Sequence, residues 1–169
     1  MSPRRPRVAV GTVAAEPVSA ALHQFAAAAI RNDTVDPITT ELVRLRCAAH
    51  HDCHTRLSLR SAVARQHGLD EDLIGELAAY SSSAELTAAQ KVAIELADAL
   101  MTRPGDIDGT LRQRLHTHFR REQIIELTLD VMKWNYQKIP VALGVDPEVV
   151  PGRLADLVFD EHGDWVRPS

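Results

Sequence analysis

The sequence predicts an all-α fold of about seven helices. Apolar residues recur at three- and four-residue intervals, and no run alternates convincingly at the two-residue period of a strand. The composition is rich in Ala, Leu and Val and poor in aromatics and Gly, which favours helix. The 169 residues suffice for one domain with a real core. The expected organisation is an N-terminal arm over 1–16, a helical domain over 17–159 and a polar tail over 160–169.

Taken in order, Pro17 and Ser19 open a helix through Arg31, with Val18, Leu22, Phe25, Ala29 and Ile30 at helical spacing. Asp36-Pro37 is a strong new start, an acidic cap followed by proline at the first helical position. Ile38, Leu42, Leu45 and Ala49 continue as one stripe until His50-His51-Asp52 interrupts it. A further helix is expected from Cys53 to about Gln66, with Gly68 as its stop, and another from Asp70 to Ala79. Ser81-Ser82-Ser83 is a loop. Thr87 then starts a helix carrying Val92, Leu96, Ala99 and Leu100. Pro104-Gly105 breaks the chain before a short helix marked by Leu111, Leu115 and Phe119. Glu122 to Leu143 is the longest periodic run, apolar over a broad face, and Gly144 ends it. Pro147 and Pro151 bracket a last short helix before the tail with its Trp165.

Net charge is −4 and the arginines are scattered among acids, so no basic stripe speaks for nucleic acid. Arg4, Arg5 and Arg7 precede the apolar run Val8 to Ala15, but Glu16-Pro17 cuts that run at the short edge of an export signal. No stretch reaches the ~20 apolar residues that cross a bilayer. The two cysteines, Cys47 and Cys53, would stand about 9 Å apart along one helix and on different faces, too far to bridge without a bend. Free thiols suit a reducing, cytoplasmic setting. His50, His51 and His54 crowd the same stretch, yet metal sites draw ligands from separated segments, and ordinary helix-end histidines are the expectation. No metal and no cofactor is expected.

The chemistry-bearing stretch runs from Glu41 through Cys53 to Arg60, with Leu42-Val43-Arg44-Leu45-Arg46 behind the acid. Downstream lie His118-Phe119, Glu122 to Leu127, and Ala142-Leu143-Gly144-Val145. Together these resemble the alkylhydroperoxidase D and carboxymuconolactone decarboxylase superfamily over roughly Asp36 to Asp146. That family carries a Glu, then twelve residues on a Cys-x-x-Cys, then a His four residues after the second Cys. Glu41 and Cys53 match the Glu and the first Cys. Arg56 stands in place of the second Cys and Arg60 in place of the His. The resemblance implies a bundle like that of alkylhydroperoxidase D, assembled as a homo-oligomer, commonly a trimer or hexamer. It also implies that the usual two-thiol cycle is missing, since the second Cys is the one assigned to attack peroxide.

What remains is a one-cysteine site. With Asp52 as cap, Cys53 would lie in a first helical turn where free backbone N–H groups favour a thiolate. Arg56 at i+3 and Arg60 one turn on would assist, and His51, His54 or Glu41 would accept a proton. The plainer reading makes Cys53 a small buried residue, Arg56 and Arg60 the partners of nearby acids, and Glu41 a helix-start acid paired with Arg44. On an unbroken helix Glu41 and Cys53 would be about 18 Å apart, so the site requires a turn near His50 to Asp52. Trp134, Asn135, Tyr136 and Lys138 are candidates to line a pocket.

Three functions are open: a hydroperoxide-reducing antioxidant or thiol redox protein using Cys53 and an external thiol; a lyase like carboxymuconolactone decarboxylase, holding a carboxylate on Arg56 or Arg60; and a non-catalytic helical oligomer. Cys47 is the alternative reactive thiol. A small peroxide or carboxylate is the expected substrate, without nucleic acid or membrane as partner.

Overall fold

A computed structural model describes residues 4–9, 11–136, 138–146, 149–150 and 152–166. The Asp36 carboxylate accepts from the Thr39 backbone N–H at 2.9 Å and starts the central helix, as its sequence implies. The helices in chain order are α1 (Glu16–Ile30), α2 (Pro37–His50), α3 (His54–Leu57), α4 (Ala62–Gln66), α5 (Glu71–Gly75), α6 (Ala88–Thr102), α7 (Gly109–His118), α8 (Arg121–Asn135) and α9 (Lys138–Leu143). The strands are β1 (Leu59–Ser61), β2 (Ala155–Phe159) and β3 (Trp165–Val166).

Helix α2 is buried on nearly every side. Val43 and Cys47 pack with Val92 and Leu96 of α6 and with Leu127 and Val131 of α8. Leu42 and Leu45 look the other way, toward Ala64, Leu69, Leu77 and Ile94. A helix sheathed in this way must bury whatever polar residues its sequence carries. Glu41 and Arg44 are therefore interior groups, exposed by only 2% and 1%.

The fold is predominantly helical, as expected, but it differs from the expectation locally: the helix expected from Asp70 to Ala79 ends at Gly75, and 3-10 turns continue from Glu76 through Ser82, into the expected serine loop. The stretch from Cys53 to Gln66 is not one helix: α3 ends at Leu57, β1 runs extended, and Ser61 caps α4 by accepting from the Ala64 N–H at 3.2 Å. The long run after Glu122 is divided into α8 and α9. Residues 149–150 are not helical, whereas Pro147 and Pro151, expected to bracket a last helix, lie outside the described residues. Among the described residues the bundle is built from nine α-helices, several of little more than one turn, with a small sheet ordered β1-β2-β3.

In that sheet β1 pairs parallel with β2, Leu59 opposite Ala155 and Ser61 opposite Leu157. Strand β2 pairs antiparallel with β3, Phe159 opposite Trp165. Strands of three, five and two residues are too short to display a two-residue period. The hairpin turn is held by the Asp160 carboxylate, which accepts from the His162 and Asp164 backbone N–H groups at 2.9 Å each. Gly163 sits there at φ +82, with a Cβ position only 2.5 Å from the Ala27 carbonyl of α1, so no side chain fits. This docks the hairpin on α1 and closes one side of the site.

At the other end, residues 4–7 lie along the last turn of α9 and the residues that follow it. The Arg7 N–H donates to the Leu143 carbonyl at 2.8 Å. Arg4 bridges Asp146 and Asp52, meeting the Asp52 carboxylate at 2.6 Å. The arm thereby reaches the turn that precedes Cys53.

Candidate functional site

The chain reverses where the site requires it. At the end of α2 the Asp52 N–H donates to the Ala49 carbonyl and the Cys53 N–H to the Ala48 carbonyl, at 3.1 and 2.9 Å. Asp52 takes φ +52, the left-handed conformation that ends a helix sharply. Asp52 is therefore not the cap of α3. Cys53 is itself the cap residue, and the following turn runs back beside α2.

That return path is fixed by Arg44. Its guanidinium donates to both Glu41 oxygens at 2.6 Å, to the Arg56 carbonyl at 2.9 Å and to the Leu59 carbonyl at 2.7 Å. Glu41 also accepts from the Ser61 N–H at 3.0 Å. One buried ion pair thus ties α2, α3 and β1 together. Removing water from two charges is costly, and only this density of hydrogen bonds offsets it.

The expected site residues are brought only partly together. Cys53 is 3% exposed. Burial pushes its thiol up; the Arg56 backbone N–H donated to the sulfur, the Arg56 guanidinium and Arg4 oppose this without reversing it. The resting sulfur is a protonated thiol, not the thiolate expected of a helix start. Arg56 does approach it. Arg60 does not: β1 turns it toward α5, where it forms a two-point pair with Glu71 at 2.8 Å and donates to the Leu57 and Leu59 carbonyls. Glu41 belongs to Arg44. His51 meets Asn135 at 2.5 Å, and His54 turns outward to Asp52 at 3.0 Å. Cys47 lies sealed in the core, its thiol pushed up to about 12 by burial.

Helix α8 supplies groups that sequence reasoning missed. Asp130 and Lys133 form a second buried pair at 2.8 Å, with side chains 2% and 5% exposed. Burial raises the pKa of Asp130 and lowers that of Lys133. The ammonium lies 4.2 Å from the Trp134 ring centre, and the Arg44 guanidinium 5.9 Å from it. Glu126, one turn earlier, accepts from the Thr34 and Val35 N–H groups at 3.0 and 3.1 Å. The sequence carries a trace of this, since Glu126, Asp130 and Lys133 recur at i, i+4 and i+7 inside an otherwise apolar run. That stripe reads as a solvent face until the packing of α1 and α2 against it is known.

Two cavities flank the Lys133–Trp134 wall. One, of about 570 Å³, lies between α1, α8 and the hairpin and includes Arg56 together with Trp134, Asn135, Tyr136 and Lys138, the residues expected to line a pocket. The other, of about 510 Å³, includes Glu41, Arg44, Asp130 and Lys133. Among the described residues no group of three or more His, Cys, Asp or Glu is placed to hold a metal ion. No helix there is long and apolar enough to cross a membrane.

Comparison with known proteins identifies the class. The model of the carboxymuconolactone decarboxylase family matches residues 16–99, from α1 into α6. Over that segment the chain matches the carboxymuconolactone decarboxylase family. The crystal structure of an Agrobacterium tumefaciens protein of unknown function, proposed to be the antioxidant defence protein AhpD, superposes with a TM-score of 0.68 at 18% identity. It covers 86% of this chain and 100% of that one, a likeness of fold. Among curated relatives, the uncharacterized Mycobacterium tuberculosis protein Rv2313c is 36% identical over 135 residues, 79% of this chain and 48% of its own length. The uncharacterized YnjA of Escherichia coli K12 is 29% identical over 99 residues, 58% of this chain and 54% of its own. The chain spans about half the length of the curated relatives it matches.

Proposed function

We propose that the chain is a one-cysteine member of its superfamily that reduces small organic hydroperoxides, with Cys53 as the thiol and Arg56 as the cation beside it. The observation that carries this reading is the reverse turn at Asp52, which places the sulfur against the Arg56 backbone N–H and guanidinium. In the first step the sulfur attacks the distal peroxide oxygen, the O–O bond breaks, and Cys–SH plus ROOH gives Cys–SOH plus ROH. Two equivalents of an external thiol then restore Cys–SH, giving a disulfide and water. Because burial favours the protonated thiol, the rate should rise as pH increases through the weakly alkaline range.

A homo-oligomer in a cytoplasmic, reducing setting belongs to the same reading. Ile125, Leu129, Met132 and Tyr136 form an exposed apolar stripe along one face of α8, which supports self-association.

The test is consumption of cumene hydroperoxide with dithiothreitol as reductant. Cys53→Ser should lose it while Cys47→Ala keeps it; consumption that survives Cys53→Ser overturns the reading. A lyase is the second reading, favoured by a specific feature: Arg56 has no carboxylate partner among the described residues and lines a cavity. A lyase should survive Cys53→Ser and fail in Arg56→Gln. The Arg60→Ala change is no discriminator, because Arg60 is committed to Glu71.

A further inference from the structure

We propose that the cavity between α1, α8 and the β2–β3 hairpin binds an amphipathic organic anion, a carboxylate on an extended apolar or aromatic body, anchored by the Arg56 guanidinium. This shares Arg56 with the proposed redox site and names the class of molecule that enters there, but asks nothing of the thiol.

The body of the ligand follows from the walls. Leu22, Phe25 and Ile30 of α1 face Trp134 of α8, with Phe159 and Trp165 of the hairpin completing an apolar enclosure. Its volume, about 570 Å³, falls in the range of small-molecule sites. An inorganic anion would leave these walls bare, whereas a hydrocarbon or aromatic body removes them from water.

The head group follows from the charges. No Asp or Glu lines this cavity among the described residues; the charged residues that do are Arg56, Lys133 and Lys138. His23 stands among the lining groups, and Asp164 of the hairpin meets it at 3.1 Å. Lys133 already holds Asp130. Arg56 differs from the other interior arginines near it. Arg44 holds Glu41, Arg46 holds Asp98 and Arg60 holds Glu71. Among the described residues Arg56 has no such acid: the charged group acting on it most is Arg44, of like sign, and its other neighbour is the Cys53 thiol. Burial lowers its pKa as well, so the guanidinium is held where its charge is disfavoured. A carboxylate supplies the missing opposite charge and can accept two parallel N–H bonds.

The neighbouring cavity sharpens the choice. It shares Ile30, Lys133, Trp134 and Phe159 with the first but carries the acids Asp33, Glu41, Asp130, Asp160 and Glu161 against the cations Arg31, Arg44 and Lys133. Its lining is thus net acidic, whereas the lining on the Arg56 side holds no acid among the described residues.

The chain's two tryptophans, Trp134 and Trp165, both line this cavity, so intrinsic fluorescence reads occupancy directly. The experiment titrates the wild type and Cys53→Ser with decanoate, decanol and acetate, with calorimetry as a second readout. Decanoate should saturate both proteins alike and bind roughly ten-fold or more tighter than decanol, with acetate silent. Arg56→Gln should erase the gap between decanoate and decanol, Arg56→Lys should keep part of it, and Ala26→Phe should weaken both by filling the cavity. Helical circular dichroism checks that each variant is folded. Equal binding of decanoate and decanol, a gap that survives Arg56→Gln, or no saturable binding overturns the proposal. Saturable, Arg56-dependent binding without peroxide consumption sinks only the redox reading; consumption without such binding sinks only this one.

Discussion

Arg44 and Arg56 lie one on either side of the same reverse turn, and they are opposites. Arg44 is 1% exposed and donates four hydrogen bonds, two to Glu41 and two to carbonyls of the returning chain. Arg56 contributes its backbone to that network, as the carbonyl Arg44 holds and the N–H the Cys53 sulfur accepts, while the residue lines a cavity that holds no acid among the described residues. A saturated buried cation is a structural part. A cation of similar chemistry left without its opposite charge is an available one.

The largest test of this contrast is Arg44→Met. It strands the Glu41 carboxylate and two carbonyls in the interior and should cost about 3–5 kcal/mol in denaturant unfolding. Replacing both partners, Glu41→Leu with Arg44→Met, should recover much of that loss; equal damage in the double variant would mean that the pair matters through shape alone.

The thiols give a second test. Cys47, pushed up to about 12 from 9.0, keeps its proton in the folded chain over a range where the unfolded chain loses it. Folding stability attributable to Cys47 therefore declines as pH rises from about 9 toward 12. At mildly alkaline pH a thiol reagent should label Cys53 slowly and Cys47 only through unfolding, a difference of roughly a hundredfold or more. Equal labelling rates would undo the distinction between a core thiol and a site thiol.

The smallest effect is expected at Arg56 itself. Arg56→Gln should change stability by no more than about 0.5 kcal/mol, since among the described residues no ion pair is broken. Arg60→Ala, which breaks a pair with the half-exposed Glu71, should cost about 1 kcal/mol after solvent screening. If Arg56→Gln proves the more damaging of the two, the unpaired cation is structural after all.

Much of the fold was legible. Asp36-Pro37 marked the start of α2 and Thr87 that of α6, because caps and prolines act locally. The need for a turn before Cys53 was also legible, from the helical distance between Glu41 and Cys53. Arg60 was not. On a continuous helix it shares a face with Arg56, and only the pairing of Leu59–Ser61 with Ala155–Phe159, nearly a hundred residues away, turns it toward Glu71. The Asp130–Lys133 pair was missed for a related reason, since i, i+3 opposites look alike on a wet face and a dry one.

The sequence by itself determined the main helices, the family resemblance and the placing of a lone family cysteine three residues before an arginine, because periodicity, caps and motif spacing are written in neighbouring residues. Only the tertiary structure decided which charges are spent and which is left over. Burial and ion pairing depend on segments that meet from far apart in the chain, and no local pattern records whether a guanidinium will find an acid when they do.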